Sequence, residues 1–466
     1  MKFIADFHIH SKYSRAVSKD MVLEELDRWA DDKGILVMGT GDFTHPAWFK
    51  ELKEKLEPAE PGLYRLKKEF KQKTIKGTEA DTRFILTVEI SGIYSRAGRT
   101  RRIHNLVFAP DLETAEKINT QLSWIGNIAS DGRPILGLDS EELAKIVFNI
   151  NPAAVIVPAH VYTPWFSVFG SMSGFDSLEE CFGQYTKYIF AGESGLSSDP
   201  AMSWRNSRLD NIAIISNSDS HSLERIGREA NIFDCQLSYK DIIEAIKNSR
   251  INADSNADKR GQVISVNQRN ERSEQNQRKS ASRLMATIEF FPEEGKYHYD
   301  GHRLCGVSWA PEETKRNKGI CTKCGKPVTV GVLNRVAVLA DRPEIKRDTV
   351  KVGEAIAQHW NNRVPYINLV TLDTVIGEAL NLGPQTKTVK AEYDKLIKSF
   401  NSELNILMNV PARDLAAAGK SEVVEGIERV RAGKLAIEPG FDGEFGKIKI
   451  FSDADREKIE EQKSLF

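Results

Sequence analysis

Two histidines separated by one residue, His8 and His10, end an apolar run near the N-terminus. Alternate residues of a β-strand point to the same face, so two imidazoles at this spacing can bind one metal ion. Histidines and carboxylates recur beside other short apolar runs farther along the chain. They are Asp42, Glu89, His104, His160, Asp219 and His221. Histidines that only fill a core are not expected to collect at predicted strand ends, so we interpret the set as ligands of a multinuclear metal centre.

The mixture of imidazole and carboxylate ligands favours Zn²⁺, Mn²⁺ or Fe²⁺, with Mg²⁺ as a weaker alternative in the catalytic centre. Metals that share a bridging carboxylate can activate water and stabilise the charge on a phosphoryl group. Glu89 is the candidate bridge, and Asp219 and His221 are the candidates to bind metal and orient the attacking water. We therefore expect hydrolysis of a phosphate ester, with amide hydrolysis as the competing chemistry.

A second ligand cluster lies late in the chain. His302 and Cys305 form one short-spaced pair, and Cys321 and Cys324 form another. Two such pairs separated by a loop are typical of a closed structural zinc site. His298 is the alternative to His302, and a redox pair of cysteines is the competing interpretation. We predict structural Zn²⁺ at this cluster.

Strand-like runs must position the first set of ligands. Apolar runs alternate with amphipathic stretches through the first half, which predicts strand–helix units and a parallel sheet. The runs are 3–7, 35–39, 84–88, 105–109, 154–157, 188–191 and 212–216. They suit a closed (β/α)7 barrel, whose chemistry lies at the C-terminal ends of its strands. A His, Asp or Glu follows most of the runs, so such a barrel would bring the ligands together.

The chain has 466 residues, which is more than one core usually serves. We predict a catalytic barrel over 1–250, a polar linker or insertion over 251–284, a zinc-binding module over 285–345 and a mainly helical domain over 346–466. The formal net charge of −1 means that any nucleic-acid contact must come from local patches. The sequence carries no signal-peptide or membrane-span pattern and few cysteines, which predicts a cytoplasmic protein without a membrane partner.

Several motifs resemble the PHP (polymerase and histidinol phosphatase) superfamily. They are Phe7-His8-Ile9-His10-Ser11, Glu89, His104, His160 and Ser218-Asp219-Ser220-His221. The resemblance implies a distorted (β/α)7 barrel with a two- or three-metal phosphoesterase centre. Arg15 stands where that family often has Asp, and Thr40-Gly41-Asp42 replaces its usual TDH. The third metal position therefore falls to Asp42 with His221, with His45 in reserve, and Glu193 is either a ligand or a supporting group.

Other strings resemble the narrower endonuclease Q family. They are residues 291–302, 331–336, 364–367 and 439–444. The resemblance implies a DNA repair endonuclease that cuts the phosphodiester on the 5′ side of deaminated bases (hypoxanthine, uracil, xanthine) and of abasic sites. A sliding clamp or a helicase is a candidate partner, although no motif anchors either. The competing functions are a small-molecule phosphatase of the histidinol-phosphate type and a degenerate barrel that serves as a DNA-binding scaffold.

Such an enzyme needs a surface for the DNA backbone and a pocket for an extruded base. Four arginines between Glu89 and His104 are candidates to hold phosphates, with a solvated charge run as the alternative; they are Arg96, Arg99, Arg101 and Arg102. Three aromatic residues just after His160 are candidates for the base pocket; they are Tyr162, Trp165 and Phe166. Aromatic residues are more often part of a core, so core packing is the alternative for these three.

Overall fold

The computed structural model describes residues 1–250, 282–344, 363–452 and 455–456. The predicted polar segment 251–284 therefore lies outside the described residues, apart from its last three positions. The described strands of the first part are β1 Lys2–Asp6, β2 Val37–Gly39, β3 Leu56–Pro58, β4 Tyr64–Leu66, β5 Arg83–Arg96, β6 Arg99–Ala109, β7 Ile135–Leu136, β8 Val155–Pro158, β9 Ala191–Glu193, β10 Ala213–Ile215 and β11 Ala230–Asp234. Its helices are α1 Leu23–Lys33, α2 Pro46–Lys55, α3 Leu112–Ser123, α4 Ser140–Ile150, α5 Leu178–Phe182, α6 Pro200–Ser203 and α7 Tyr239–Asn248.

The described residues from 282 onward contain fewer strands than the first part. Its elements are β12 Arg283–Glu289, β13 Asp300–His302, β14 Val307–Trp309, α8 Pro311–Arg316, α9 Val332–Leu339, β15 Tyr366–Asn368, α10 Leu372–Leu380, α11 Lys387–Phe400, α12 Glu403–Met408, α13 Ala412–Ala418, α14 Ser421–Arg431, β16 Ala436–Glu438 and β17 Lys447–Lys449. The protein thus has an α/β fold followed by a helical C-terminal region. Among the described residues, each helix is too short or too polar to cross a membrane.

One mixed sheet of 11 strands organises the α/β part, in the order β15-β12-β11-β1-β2-β5-β4-β3 with β6, β7 and β8 joined through β5 and β6. β1, β2 and β5 are parallel neighbours, whereas β11 runs antiparallel beside β1, and β12 runs antiparallel beside β11. β9 and β10 form a separate parallel pair. β12 and β15 belong to the same sheet as β1, so segments beyond residue 250 complete the sheet that the N-terminal part begins.

The longest pairing is an antiparallel hairpin of β5 and β6, in register from Leu86 opposite Ala109 to Arg96 opposite Arg99. The sequence predicted two separate short strands here, at 84–88 and 105–109. Ala97 and Gly98 form the turn with φ of 53° and 71°. Two central residues with positive φ are the signature of a type I′ turn, whose twist suits a two-residue hairpin loop. The hairpin therefore extends well past the apolar runs from which its two strands were predicted.

Side chains from strands of the 11-stranded sheet and of the β9–β10 pair pack into one buried apolar cluster. Its strand members are Phe3, Ala5, Val37, Ile85, Leu106, Phe108, Val155, Val157, Ala191, Ala213, Ile215, Phe233 and Leu284. The alternation of Phe3, Ala5 and Phe7 explains why the strand that delivers His8 and His10 is fixed in register, since a shift by one residue would turn its apolar side chains outward. The ligands of the first set are carried on this frame.

A buried ion pair ties the α/β part to the helical region. Lys33 Nζ lies 2.7 Å from Glu403 Oε2, and these side chains are 2% and 3% exposed. Tyr393 also donates its hydroxyl to Glu403, and Lys33 donates to the backbone oxygen of Glu224. Since a buried charge is stable only when it is paired and hydrogen-bonded, α1 and α12 hold each other in place.

Candidate metal centre

The centre lies where β1 ends and where the loops after β8 and β10 meet the middle of the β5–β6 hairpin. A parallel bridge joins Ile9 to Ser220, with His10 donating its backbone N–H to Ser220 O at 3.0 Å. This bridge places His8 and His10 against the loop that carries Asp219. Glu89 comes from β5 and His104 from β6, and His160 follows β8.

Four side chains form the first donor group: His8, His10, Glu89 and Asp219, whose ligand atoms lie within 4.8 Å of one another. His10 Nε2 is 3.1 Å from Asp219 Oδ1 and 3.4 Å from Glu89 Oε2. His8 Nε2 is 3.6 Å and 3.7 Å from the same two oxygens. The two imidazole nitrogens and two carboxylate oxygens thus face one common point.

The second donor group is Glu89, His104 and His160. Glu89 Oε1 is 2.6 Å from His104 Nδ1 and 3.0 Å from His160 Nε2. Glu89 therefore presents one oxygen to each group. That arrangement is the one expected of a carboxylate that bridges two neighbouring metals.

Carboxylates behind the histidines fix the orientation of the rings. Glu193 lies 3.0 Å from His8 Nδ1, and Asp42 Oδ1 lies 3.2 Å from His10 Nδ1. A carboxylate at Nδ1 keeps the proton on that nitrogen and leaves the lone pair of Nε2 free for a metal. His8 Nε2 is buried and has no hydrogen-bond partner among the described residues. Glu193 and Asp42 thus support the centre from outside its donor groups.

The structure places the remaining predicted ligands differently. Asp42 is part of neither donor group among the described residues: its Oδ1 faces His10 Nδ1, and its Oδ2 accepts hydrogen bonds from Ser11 and Ser14. His221 lies at the rim, with its ring 4.6 Å from that of His10 and its Nδ1 bonded to Asp219 O. His45 stacks on Tyr13 at 4.4 Å instead of facing the donor atoms.

The electrostatics of the group are those of mutually neutralising charges. Burial opposes the charged form of His8, yet Glu193, Glu89 and Asp219 together raise its pKa well above the usual value. Burial also disfavours ionised Glu89, but His104, Arg133 and His8 hold its pKa well below the usual value. Burial lowers the pKa of His104 to about 4. Negative oxygens and a neutral imidazole side by side are what a bound cation requires.

The backbone is strained at the same place. Asp42, His160, Phe166 and Asp219 have φ of 50°, 31°, 62° and 45°. Each non-glycine residue in this left-handed region costs on the order of 1 kcal/mol or more, and such residues cluster at functional sites. The strain lies at the turns that aim these side chains toward the centre.

Sequence reasoning missed Arg133, which precedes β7. Its Nη1 donates to Glu89 Oε2 at 3.0 Å, and the side chain is 25% exposed. An arginine at the mouth of a metal site can bind a phosphate oxygen. Residues 131–134 match no ligand motif, so only the fold places Arg133 here.

The late cluster is also assembled. Ligand atoms of His302, Cys305, Cys321 and Cys324 lie within 4.8 Å of one another, and Cys324 Sγ is 3.7 Å from His302 Nδ1. The β13–β14 hairpin carries the first pair. His298, the alternative ligand, is buried elsewhere, with its Nδ1 3.2 Å from Ser197 O.

The four predicted DNA-binding arginines separate into two kinds. Arg96 pairs with Glu141 at 3.1 Å, and Arg101 is buried against the ring of Phe175 at 4.0 Å. Arg99 is exposed at the hairpin tip, and Arg102 is partly exposed, 5.9 Å from the ring of Phe166. Arg99 and Arg102 are thus the two that are at least partly exposed and have no carboxylate partner among the described residues.

The three predicted base-pocket aromatics also differ. Tyr162 is 1% exposed and packs on Phe169 at 5.4 Å, so it belongs to the core. Phe166 is partly exposed and lies 4.6 Å from the ring of His104, at the edge of the centre. Trp165, also partly exposed, meets Tyr297 edge to face at 5.6 Å.

Comparison with solved structures shows which known proteins share the fold of this chain. The lesion-specific endonuclease PfuEndoQ from Pyrococcus furiosus is 29% identical with a TM-score of 0.76, and the match covers 100% of this chain and 99% of that one. The part of the chain that the structure describes has the endonuclease Q fold. An endonuclease Q complex with a 27-mer duplex substrate, which has an abasic lesion at the active site, is 29% identical with a TM-score of 0.77 and 98% coverage of both chains.

Sequence comparisons agree with this placement. A PHP-associated family model matches residues 201–251, and an MJ0043 C-terminal domain model matches residues 371–434. YqxK of Bacillus subtilis is 29% identical over 96% of this chain and 99% of that protein. MJ0043 of Methanocaldococcus jannaschii is 28% identical over 72% of this chain, but the match spans only 38% of that larger protein.

Proposed function

We propose that this protein is a metal-dependent DNA repair endonuclease that hydrolyses the phosphodiester on the 5′ side of deaminated bases (hypoxanthine, uracil, xanthine) and of abasic sites. One observation carries the proposal: Glu89 is shared by two converging donor groups in a chain with the endonuclease Q fold. A multinuclear centre of this kind suits phosphodiester hydrolysis.

The residues fit bound metals. His8, His10, Glu89 and Asp219 would hold one ion, and Glu89, His104 and His160 a second. The unpartnered Nε2 of His8 supports this assignment, because a buried nitrogen without a hydrogen bond is otherwise costly. When bound, the metals would polarise the phosphoryl oxygens and lower the pKa of water. The imidazole-rich donor sets favour Zn²⁺ or Mn²⁺, and Mg²⁺ stays an alternative.

The chain's own groups have separate tasks in this proposal. Asp42 and Glu193 act as positioning residues that hold the rings of His10 and His8. His221, which is 33% exposed at the rim, would orient the attacking water together with Asp219. Arg133 neutralises Glu89 and is positioned to contact a non-bridging phosphate oxygen as the substrate enters.

The scaffold follows the same proposal. We propose a distorted (β/α)7 barrel over residues 1–250, supported by the apolar cluster, whose strand members other than Leu284 all lie in that range. The donor set of His302 and three cysteines suits one structural Zn²⁺ in a module over 285–345, followed by the helical domain. Arg99 and Arg102 on the β5–β6 hairpin would contact the DNA backbone, and Phe166 beside His104 would stack on a base at the lesion.

The test is a comparison of wild type with Asp219→Asn on end-labelled duplexes that carry one deoxyinosine, one deoxyuridine or one abasic site. The variant loses one donor of the first group, so it should stop cutting while it binds DNA nearly as well as wild type. Lesion-directed cutting by Asp219→Asn at the wild-type rate would refute the proposed centre.

A further inference from the structure

We propose that Arg228 forms an anion subsite on the flank of the metal centre, and that its ligand is a backbone phosphate of the DNA strand being cut. This inference rests on the proposed function for the identity of the ligand. Three features of the loop that follows β10 define the site: the carboxylate that holds the loop, the contacts of Arg228, and the absence of a near carboxylate partner for Arg228 among the described residues.

A buried carboxylate holds the loop. Asp6, at the end of β1, is fully buried and accepts backbone hydrogen bonds from Ser218 at 3.1 Å and from Gly227 at 3.0 Å. The two bonds bring the start and the end of the 218–227 segment side by side. Arg228 is thereby delivered next to Asp219, a member of the first donor group.

Arg228 is fixed at one end of its guanidinium group. Its Nε donates to Ser218 O at 2.9 Å, and the guanidinium carbon lies 5.9 Å from the centre of the Phe290 ring. These contacts orient the plane of the group, while both Nη atoms make no protein hydrogen bond within the described ranges. An arginine held through Nε presents its two Nη donors as a fork suited to two oxygens of one phosphate.

Arg228 also lacks a neutralising partner. Three partly buried arginines are paired with carboxylates, Arg133 with Glu89, Arg335 with Asp176 and Arg342 with Asp210, whereas Arg228 has no such partner among the described residues. No carboxylate oxygen comes within 4.0 Å of Arg228 in the part of the chain that the structure describes. The carboxylates that act on it from farther away include Asp219, Glu229, Asp6 and Glu294, and the exposed Arg225 opposes them. If Asp219 binds a metal, the positive charge of the partly buried Arg228 is not neutralised by a neighbouring carboxylate of the described residues.

A phosphate is the anion that fits this position. Arg228 is attached to the same loop as Asp219, so an oxygen on it belongs to the phosphate at the centre or to the next one along the strand. Arginine is the side chain best matched to phosphate oxygens, and half or more of protein–DNA hydrogen bonds go to the backbone. Arg228 and Arg133 would then hold the strand from separate loops beside the metals.

The competing explanation is that Arg228 only braces the loop through its bond to Ser218 O. A bracing role predicts loss of metal and of thermal stability when the guanidinium is removed. A phosphate-binding role predicts altered DNA handling with metal content and stability unchanged. Arg228→Met keeps most of the apolar stem, and Arg228→Lys restores the charge without the fork, so the two variants separate these roles.

The first measurement is steady-state cutting of a deoxyuridine duplex at several salt concentrations. Arg228→Met should lower kcat/KM by about 10- to 100-fold, the usual effect of losing a charge-assisted hydrogen bond. Arg228→Lys should recover part of the loss, and both variants should retain wild-type metal content and Tm. Arg65→Ala, which removes an exposed arginine paired with Glu57, is the matched control and should leave kcat/KM unchanged.

The second measurement is duplex binding by fluorescence anisotropy in the Asp219→Asn background, in which no cutting is expected. Adding Arg228→Met should reduce the slope of log Kd against log salt by about 0.9, the value for one lost phosphate contact on duplex DNA. Two results would overturn the subsite, provided that the wild type nicks the lesion duplex. The first is that Arg228→Met changes neither the salt slope nor kcat/KM, and the second is that Arg228→Met loses metal. A wild type that makes no lesion-directed nick, combined with the altered slope, would instead overturn the proposed function and leave the subsite standing.

Discussion

The support that Asp42 gives to His10 can be tested by removing its charge and keeping its shape. Asp42 Oδ2 accepts from Ser11 N at 2.7 Å, Ser11 Oγ at 2.6 Å and Ser14 Oγ at 2.9 Å, while Oδ1 faces His10 Nδ1 at 3.2 Å. Gly132 packs against the same carboxylate, since a Cβ there would lie 2.2 Å from Oδ2. The side chain therefore has no room to turn away.

In Asp42→Asn, the amide oxygen must take the position of Oδ2, because three donors point at it. The amide nitrogen then faces His10 Nδ1, which has to accept a hydrogen bond and gives up its proton to Nε2. A protonated Nε2 cannot bind a metal, so the variant holds His10 in the wrong tautomer.

Loss of such a supporting carboxylate typically costs 10- to 100-fold in metal affinity or activity, or about 1.4–2.7 kcal/mol. We expect a loss of this size in the affinity for catalytic metal, measured by competition with a chelator, and in the rate of cutting at a fixed metal concentration. Thermal unfolding should change little, because the exchange is isosteric. Asp300→Asn, which alters a buried carboxylate that accepts from Gly331 and Asn334, is the matched control and should keep full metal affinity.

Two results would contradict this reasoning. Wild-type metal affinity and rate in Asp42→Asn would show that the carboxylate does not set the tautomer of His10. A loss of one whole equivalent of metal, with the remaining metal bound at full affinity, would show that Asp42 is itself a ligand, as the sequence predicted.

Three further predictions concern the scaffold. Cys324→Ser should remove one equivalent of zinc per chain, measured by elemental analysis, whereas Cys235→Ser, at a buried thiol outside the cluster, should not. Lys33→Met leaves Glu403 buried without its cation and should lower the free energy of unfolding in urea by about 3–5 kcal/mol, with part of the loss restored when Glu403→Gln is added. Burial raises the pKa of Asp27 from 3.8 to about 6, so its stabilising contribution is fully present below pH 3.8 and is lost as the pH rises through about 6. Relative to Asp27→Asn, the free energy of unfolding of the wild type should fall by about 3 kcal/mol between about pH 4 and about pH 7. Parallel curves of the free energy of unfolding against pH for the two proteins would contradict this.

The ligand set was open to prediction because each residue type and its place after an apolar run carry chemical information. His8, His10, Glu89 and Asp219 meet as their motifs indicated, and so do the cysteines of the late cluster. The apolar runs alone do not predict the type I′ turn at Ala97 and Gly98, so the sequence prediction missed the full length of the β5–β6 hairpin.

Residues that act through contacts between distant segments were hidden from the sequence. Arg133 stands in an ordinary polar string, and only the folded chain brings it to Glu89. Arg228 also stands in a polar string, and only the folded loop shows its bond to Ser218 O. The role of Asp42 is hidden in the same way, because a ligand and a carboxylate behind a ligand look alike in a motif. Tyr162 shows the opposite case, an aromatic near the site that the core absorbs.

The most direct test of the proposed function is the cutting of end-labelled duplexes by the wild type. One duplex carries a deoxyinosine, one a deoxyuridine, one an abasic site, and a fourth is undamaged; each is incubated with Mg²⁺, Mn²⁺ or Zn²⁺ and with a chelator, beside a small phosphomonoester. The proposed function predicts a metal-dependent nick on the 5′ side of the lesion, no nick in the undamaged duplex and negligible phosphate release. Phosphate release without any lesion-directed nick, under every metal, would contradict it and favour a small-molecule phosphatase.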